Sequence, residues 1–151
     1  MAILAVNLHP RAEGELKSLA LSDNEAEQEA AAQLIALLDL MRSSVHIYDR
    51  LCTHHEEILV RDLAGKLITV NIKIIQSLKD CANDRRYHVD AMRRIRELHQ
   101  PPGDDYRVFF APRPSRRGPI VCEVLGIFHR SEAYSAATLA ELKRRYENPS
   151  K

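Results

Sequence analysis

The segment from Met92 to Tyr134 constrains the fold of this chain more than any other part of the sequence. Three strand-like stretches in it interleave arginines with apolar residues: Met92–Leu98, Asp105–Phe110 and Ile120–Tyr134. Successive side chains of a β-strand point to opposite faces of the sheet. The pattern therefore predicts a sheet with one apolar face for a core and one cationic face for a polyanion.

The net charge of +1 hides a strong asymmetry along the 151 residues. Residues 1–84 carry 8 basic and 13 acidic side chains, whereas residues 85–151 carry 14 basic and 8 acidic ones. Twelve of those 14 are arginines, whose planar guanidinium matches phosphate and carboxylate oxygens better than the ammonium of lysine does. The second part of the chain is therefore predicted to bind a nucleic acid or, alternatively, an acidic partner protein.

Length and cysteine content indicate the class of protein. A chain of this length fits a single domain, residues 1–151, and buries enough surface to fold without disulfides or a structural metal. The three cysteines (Cys52, Cys81 and Cys122) cannot all pair, and no stretch reads as a secretory leader or a membrane span. We therefore expect a cytoplasmic protein with no membrane partner.

The N-terminal part reads as one strand followed by two helices. Ile3–Leu8 is a short apolar run ended by Pro10, which predicts an opening strand, and residues 11–21 predict a first helix. Ser22-Asp-Asn-Glu25 has the spacing of a capping box, so a second helix is expected from Glu25 to about Leu51. The two helices are expected to pack against each other as an antiparallel pair.

Residues 52–84 are the hardest to interpret. Leu67–Ile75 is rich in β-branched residues but also fits a helix face, and we favour a strand or an extended insertion. Cys52-Thr-His-His55 contains potential metal ligands, yet no second pair stands at zinc spacing. We interpret these histidines as the solvated end of the long helix, and we expect no metal and no cofactor.

The pattern becomes β-like from Tyr87 onward. Strands are predicted over Val89–Leu98, Tyr106–Ala111 and Ile120–His129. Their short connections favour an antiparallel meander in which the last and most apolar strand is central. Between the last two strands, Pro112–Pro119 is predicted to be a mobile basic loop, because prolines and a glycine interrupt regular pairing.

A terminal helix completes the predicted fold. Thr138-Leu-Ala-Glu141 has capping-box spacing, and Asn148-Pro149 is expected to end the helix. The predicted fold class is α+β: an N-terminal strand and a two-helix hairpin packed on an antiparallel sheet meander, followed by a C-terminal helix.

Arginines on two neighbouring strands form the first candidate site. Strand alternation places Arg94 and Arg96 on one face, and a suitable register brings Arg107 beside them. Three guanidiniums on one patch repel each other, and such crowding persists more readily where an anion binds. The alternative is that they are solvated and neutralised by acidic neighbours such as Glu97 and Asp105.

The end of the last strand supplies a second group of candidate residues. His129, Arg130 and Tyr134 offer an acid/base group, an anion clamp and a phenol that can transfer a proton or stack on a base. The alternative is structural, with Tyr134 packing at the edge of the core and Glu132 pairing with Arg130.

These motifs resemble the RelE/ParE toxin superfamily. The stretches Arg-Ile-Arg-Glu-Leu, Tyr-Arg-Val-Phe-Phe and Val-Leu-Gly-Ile-Phe-His-Arg-Ser-Glu-Ala-Tyr, followed by a final helix, carry the resemblance over residues 92–146. It is looser over residues 1–51. Residues 52–84 look like an enlargement of the compact toxin.

The RelE-like branch implies a metal-independent endoribonuclease that cuts mRNA at the ribosome and is silenced by an antitoxin protein in a hetero-oligomer. Carried over by position, Arg94, Arg96 and Arg107 would bind phosphate and stabilise transition-state charge. Tyr134 would transfer a proton or stack on a base, helped by Arg130. One departure is that RelE has an arginine six residues before that tyrosine, where this chain has Phe128. Additional RNA contacts are expected from Arg93, His129, Arg113, Arg116 and Arg117.

Two other functions remain open at this point. The ParE-like branch inhibits DNA gyrase, lacks the ribonuclease residues and often carries the same His-Arg-x-Glu-Ala-Tyr strand. A member that keeps only antitoxin binding is a further alternative, suggested by Phe128 and the enlarged middle segment.

Overall fold

The computed structural model describes residues 3–51, 53, 55–62, 64–75, 92–98, 100–115 and 118–148. Across these residues the chain forms six strands, four α-helices and a short 3-10 helix at Gly103–Asp105. The strands are β1 (Ile3–Leu8), β2 (His55–Arg61), β3 (Leu67–Ile74), β4 (Arg93–Leu98), β5 (Tyr106–Ser115) and β6 (Gly118–His129). The helices are α1 (Pro10–Ala20), α2 (Glu25–Ser43), α3 (Val45–Tyr48) and α4 (Ala136–Glu147). Within the described ranges, no helix has both the length and the apolar character that crossing a membrane requires.

The described strands form one mixed sheet in the order β1-β6-β5-β4-β3-β2. Strand β1 runs parallel to β6, and every other neighbouring pair is antiparallel. The α+β class and the antiparallel pairing of β4, β5 and β6 are thereby confirmed. Strand β6 lies one position in from an edge, between β1 and β5, so the prediction of a central position was wrong.

The second helix begins where predicted but is shorter than expected. Its N-cap is Asn24, whose Oδ1 accepts hydrogen bonds from the backbone of Ala26 at 2.8 Å and of Glu27 at 3.2 Å. Ser22, the predicted cap, instead accepts from the backbone N–H of Asn24. The helix ends at Ser43 because Ser44 adopts an extended conformation (φ −89°, ψ 114°). The predicted continuation to Leu51 is therefore wrong.

The segment of uncertain character contains a β-hairpin. Strand β3 confirms the strand favoured for Leu67–Ile75, and it pairs with β2 from Leu67 to Lys73. The turn is fixed by Gly65 at φ +84° and by the Asp62 carboxylate, which accepts from the backbone of Ala64 and Lys66 at 2.9 Å each. His55 begins β2 and does not end a helix. Cys52, His54 and residues 76–84 lie outside the described residues.

The described residues of the predicted mobile loop at Pro112–Pro119 belong instead to a strand pair, since β5 continues to Ser115 and β6 begins at Gly118. Pro112 lies opposite Cys122 and Arg113 lies opposite Val121. A proline is tolerated in a strand where its nitrogen faces an unpaired edge. The described pairing of β5 with β4 ends at Phe110, and beyond it β5 pairs with β6 alone among the described residues.

The sheet is covered differently on its two sides. On the side we call the helix face, Leu34, Leu37 and Met41 of α2 share one buried hydrophobic core with Val108 and Phe110 of β5. On the opposite side, the outer face, α4 packs over β5 and β6.

Helix α4 is anchored at its start by a serine and in its middle by close packing on the sheet. Its N-cap is Ser135, whose Oγ accepts from the backbone of Thr138, so the predicted cap at Thr138 lies one turn too late. A Cβ at Gly126 would lie 2.9 Å from a methyl carbon of Leu142. The absence of a side chain at Gly126 therefore lets the helix approach.

Candidate anion-binding site on the outer face

The outer face brings together the three arginines predicted to share a patch. Arg94 lies opposite Phe109 in the register of β4 and β5. Arg107 stands two residues before Phe109 and therefore points to the same face, as does Arg96 two residues after Arg94. Strands β4 and β5 therefore adopt the register that the sequence-based prediction needed to bring Arg107 beside Arg94 and Arg96.

Tyr134 completes this cluster from the turn between β6 and α4. Its ring packs edge-on against Phe109, with ring centroids 6.0 Å apart. Its hydroxyl oxygen accepts a hydrogen bond from Arg94 Nε at 3.0 Å and also interacts with the side chain of Arg107. The tyrosine is 48% exposed. It is thus both a core-edge aromatic and a phenol placed between guanidiniums on an accessible surface.

The acidic side chains that the structure describes do not neutralise the three arginines. Among the described residues, none of Arg94, Arg96 and Arg107 forms an ion pair with a carboxylate. Glu97 points to the helix face, where it is buried. Asp105 instead pairs with Arg130, with 3.1 Å between Nε and Oδ1. The alternative of neutralisation by these two neighbours is therefore wrong for the cluster.

Burial and mutual repulsion act on the cluster together. Arg94 and Arg107 are only 9% and 8% exposed. Burial lowers the pKa of each guanidinium from its ordinary value. Repulsion from Arg107 lowers the pKa of Arg94 further. Repulsion from Arg96 and Arg130 does the same to the pKa of Arg107. Arginine stays charged in proteins despite such shifts. The site is therefore a desolvated positive patch whose repulsion an anion would relieve.

The two other residues predicted at the end of β6 lie in different surroundings. Arg130 is exposed and is close enough to Arg107 to affect its pKa. His129 lies opposite Tyr106 in the strand register, and their rings meet edge-on at 5.3 Å. Because Tyr106 packs against the core under α2, His129 belongs to the helix face and not to the face that carries Tyr134.

Arg93 and Arg113, which were also predicted to contact RNA, are separated from the cluster. Strand alternation turns Arg93 to the helix face, where it is 4% exposed and donates from Nε to the carbonyl of Thr53 at 2.6 Å. Arg113 is held by Glu123, with 3.0 Å between Nε and Oε1, and its guanidinium lies 4.1 Å from the ring centroid of Tyr146. Arg116 and Arg117 lie outside the described residues.

The hairpin contributes two residues that sequence reasoning missed. Asn71 and Lys73 of β3 lie opposite Arg96 and Arg94, respectively, and therefore on the outer face. The signal that could have found them was the two-residue period of Leu67–Ile75. That period could be used only after the strand had been chosen over the helix.

The position of Phe128 is used for packing. This residue lies opposite Arg107, and its ring meets that of Phe109 at 6.2 Å and the guanidinium of Arg145 at 5.3 Å. It thus fills the space between the sheet and α4. This position therefore supplies no charge to the cluster, whereas Arg130 is close enough to act on the pKa of Arg107.

The described side chains offer no cluster suited to a metal ion, since no three histidine, cysteine, aspartate or glutamate residues come together among them. Comparison with known proteins identifies no relative: the chain matches no family model, no curated protein and no solved structure at a significant level.

Proposed function

We propose that this chain is a RelE-like toxin of a toxin–antitoxin pair, a metal-independent endoribonuclease that cuts mRNA at the ribosome. The observation that carries the proposal is the hydrogen bond from Arg94 Nε to the phenol oxygen of Tyr134, whose side chain also interacts with Arg107. A desolvated set of cations beside a proton-carrying group suits a phosphate that gains charge as it reacts. The fold-level resemblance to RelE is part of the same proposal.

The chemistry needs only the substrate and these side chains. The 2′-hydroxyl oxygen attacks the adjacent phosphorus, and the bond from phosphorus to the 5′-oxygen breaks. The products are a 2′,3′-cyclic phosphate and a free 5′-hydroxyl, so one proton leaves the 2′-oxygen and one reaches the 5′-oxygen. Arg94, Arg96 and Arg107 stabilise the crowded phosphorane charge, while Tyr134 transfers a proton or stacks on the neighbouring base.

The direct test is cleavage of a labelled RNA by the purified chain in the presence of a chelator, with and without translating ribosomes. Products should end in a cyclic phosphate and a 5′-hydroxyl. Arg94→Ala should lower the cleavage rate by about 10²-fold, as expected when a donor to transition-state charge is lost. Lys17→Gln is the matched control, because it removes one positive charge from an exposed site on α1 and should leave the rate unchanged.

Tyr134→Phe separates the two roles of the phenol. It keeps the ring on Phe109 but removes the oxygen that Arg94 contacts. A strong loss of rate supports proton transfer, whereas an unchanged rate would count against it and leave stacking. RNA that stays intact with wild-type protein and ribosomes contradicts the nuclease proposal itself.

A ParE-like inhibitor of DNA gyrase is the second candidate, and Phe128 favours it. A packing residue stands where the nuclease would have an arginine. Expression of the chain without an antitoxin distinguishes the two functions. Cuts inside translated messages favour the nuclease, whereas double-strand DNA breaks with intact messages favour the gyrase inhibitor.

The proposed antitoxin would cover the outer face or pack against α4. An acidic segment lying over Arg94 and Arg107 would block phosphate and remove the repulsion between them. Co-expression with the protein encoded by the adjacent gene, followed by purification of a complex that no longer cuts RNA, tests this partner.

A further inference from the structure

Asn71 connects the β2–β3 hairpin to the arginine cluster. It lies on β3 between Glu57 of β2 and Arg96 of β4 in the register of the sheet. Its side chain points to the outer face but is only 6% exposed. A buried amide needs a partner at both its oxygen and its nitrogen, because leaving either one unpaired costs free energy.

Both ends of this amide are occupied. Its Oδ1 accepts a hydrogen bond from Arg94 Nη1, and its Nδ2 donates towards the carbonyl of Glu56 at 3.4 Å and contacts His55 Nε2 at 3.2 Å. A guanidinium can only donate and a backbone carbonyl can only accept. The orientation of the amide is therefore fixed by its partners.

Arg94 is consequently held at two points by neutral oxygens. Its Nε donates to the Tyr134 hydroxyl at 3.0 Å, and its Nη1 donates to the side chain of Asn71 and to its backbone oxygen, the latter at 3.3 Å. Neither contact neutralises the guanidinium. A carboxylate at position 71 would order Arg94 equally well but would cancel its charge.

We infer that Asn71 is a positioning residue: it fixes the guanidinium of Arg94 against Tyr134 while leaving its charge available to a phosphate. The inference rests on the proposed function for its catalytic meaning. The β2–β3 hairpin is then part of the site, because Asn71 on β3 contacts Arg94. In this arrangement the side chain of Lys73, opposite Arg94, extends the positive surface towards the hairpin.

The first experiment uses no RNA. The Nε–H signal of Arg94 in ¹⁵N-labelled protein, assigned by its loss in Arg94→Lys, should exchange slowly with solvent because it is hydrogen-bonded. Asn71→Ala should speed this exchange by about tenfold, since one of the three hydrogen bonds that hold the guanidinium is lost. Thr69→Ala is the matched control: Thr69 lies on the same strand and face but opposite Leu98, and its loss should change nothing.

The second experiment uses RNA binding and cleavage. Asn71→Ala should lower kcat by about 10²-fold with little change in KM, because misplacement of a reacting group affects the transition state most. Asn71→Asp should keep the slow exchange of Arg94 yet reduce the salt dependence of RNA binding by about one phosphate contact. Asn71→Asp keeps an acceptor for Arg94, so it still tests the inference if the alanine variant folds poorly.

The outcomes separate this inference from the proposed function. Unchanged Arg94 exchange in folded Asn71→Ala overturns the positioning role, whatever the protein does to RNA. Slow exchange in the wild type that is lost in Asn71→Ala supports the positioning role of Asn71. This holds even if the wild-type protein leaves RNA uncut, a result that would refute only the nuclease proposal. A rise in KM without a fall in kcat for Asn71→Ala would also refute the positioning role.

Discussion

Glu97 is a buried carboxylate that should make the stability of this protein depend on pH. It is 4% exposed and lies on β4, with its side chain on the helix face of the sheet. Its Oε2 has no hydrogen-bond partner within the described structure. Burial raises the pKa of Glu97 to about 7 from its ordinary value of 4.5. Repulsion from Asp62 and Asp104 acts in the same direction, and attraction to Lys66 opposes it.

The direction of the effect follows from which state holds the proton. Between pH 4.5 and about 7, folded Glu97 keeps a proton that the unfolded chain has released. The contribution of Glu97 to the free energy of unfolding is therefore highest below pH 4.5. It falls as the pH rises through that window and levels off above about pH 7. At about 1.4 kcal/mol per pKa unit, the full loss is about 3 kcal/mol.

Glu97→Gln keeps the shape of the side chain and removes its ionisation. At about pH 8 the variant should be more stable than the wild type by about 2 kcal/mol, because burying the amide offsets part of the gain. At about pH 5 the two proteins should differ by less than about 1 kcal/mol. Urea unfolding followed by circular dichroism across this range measures both values.

Glu29→Gln is the matched control, since it neutralises an exposed carboxylate on α2. Its effect should stay within about 0.5 kcal/mol at every pH. Parallel stability curves for the wild type and Glu97→Gln would refute the argument, because they would mean that Glu97 ionises as freely in the folded as in the unfolded chain. A wild type that is more stable than the variant at pH 8 would refute it as well.

Two further predictions concern the anchoring of α4. Gly126→Ala should cost about 1–3 kcal/mol of unfolding free energy, because the new Cβ would lie 2.6 Å from a ring carbon of Phe128; thermal unfolding measures this, and an unchanged melting temperature would contradict the packing. Arg145→Ala should cost about 3 kcal/mol, since Arg145 donates to both carboxylate oxygens of Glu15 at 2.9 and 3.0 Å from a nearly buried position. Adding Glu15→Gln to Arg145→Ala should recover part of that loss, and additive losses in the double variant would show that the pair is not coupled.

The arginine cluster shows how far local pattern reaches. Alternation along β4 correctly separated Arg94 and Arg96 from Ile95, because the two-residue period is a property of the extended backbone itself. The same rule, applied to Arg93 and His129, would have turned both to the helix face. Their assignment to RNA rested on their charge and proximity in sequence, and neither property determines direction.

The middle segment shows where local pattern fails. Leu67–Ile75 favoured a strand but also fitted a helix face, and only pairing with β2 and β4 resolves the choice. Pro112 indicated a loop, because the sequence does not reveal that β5, among the described residues, pairs only with β6 beyond Phe110. The break at Ser44 was hidden in the same way, since the apolar period continues through it.

By itself, the sequence determined the α+β class, the cationic character of the second half and the residues that share a strand face, since these follow from composition and backbone geometry. Tertiary structure alone decided that Tyr134 meets Arg94, that Asn71 holds the same guanidinium, and that Glu97 is buried with no partner for Oε2 among the described residues. Such contacts join residues far apart in the chain. They depend on strand register and on the packing of α4, which no local pattern specifies.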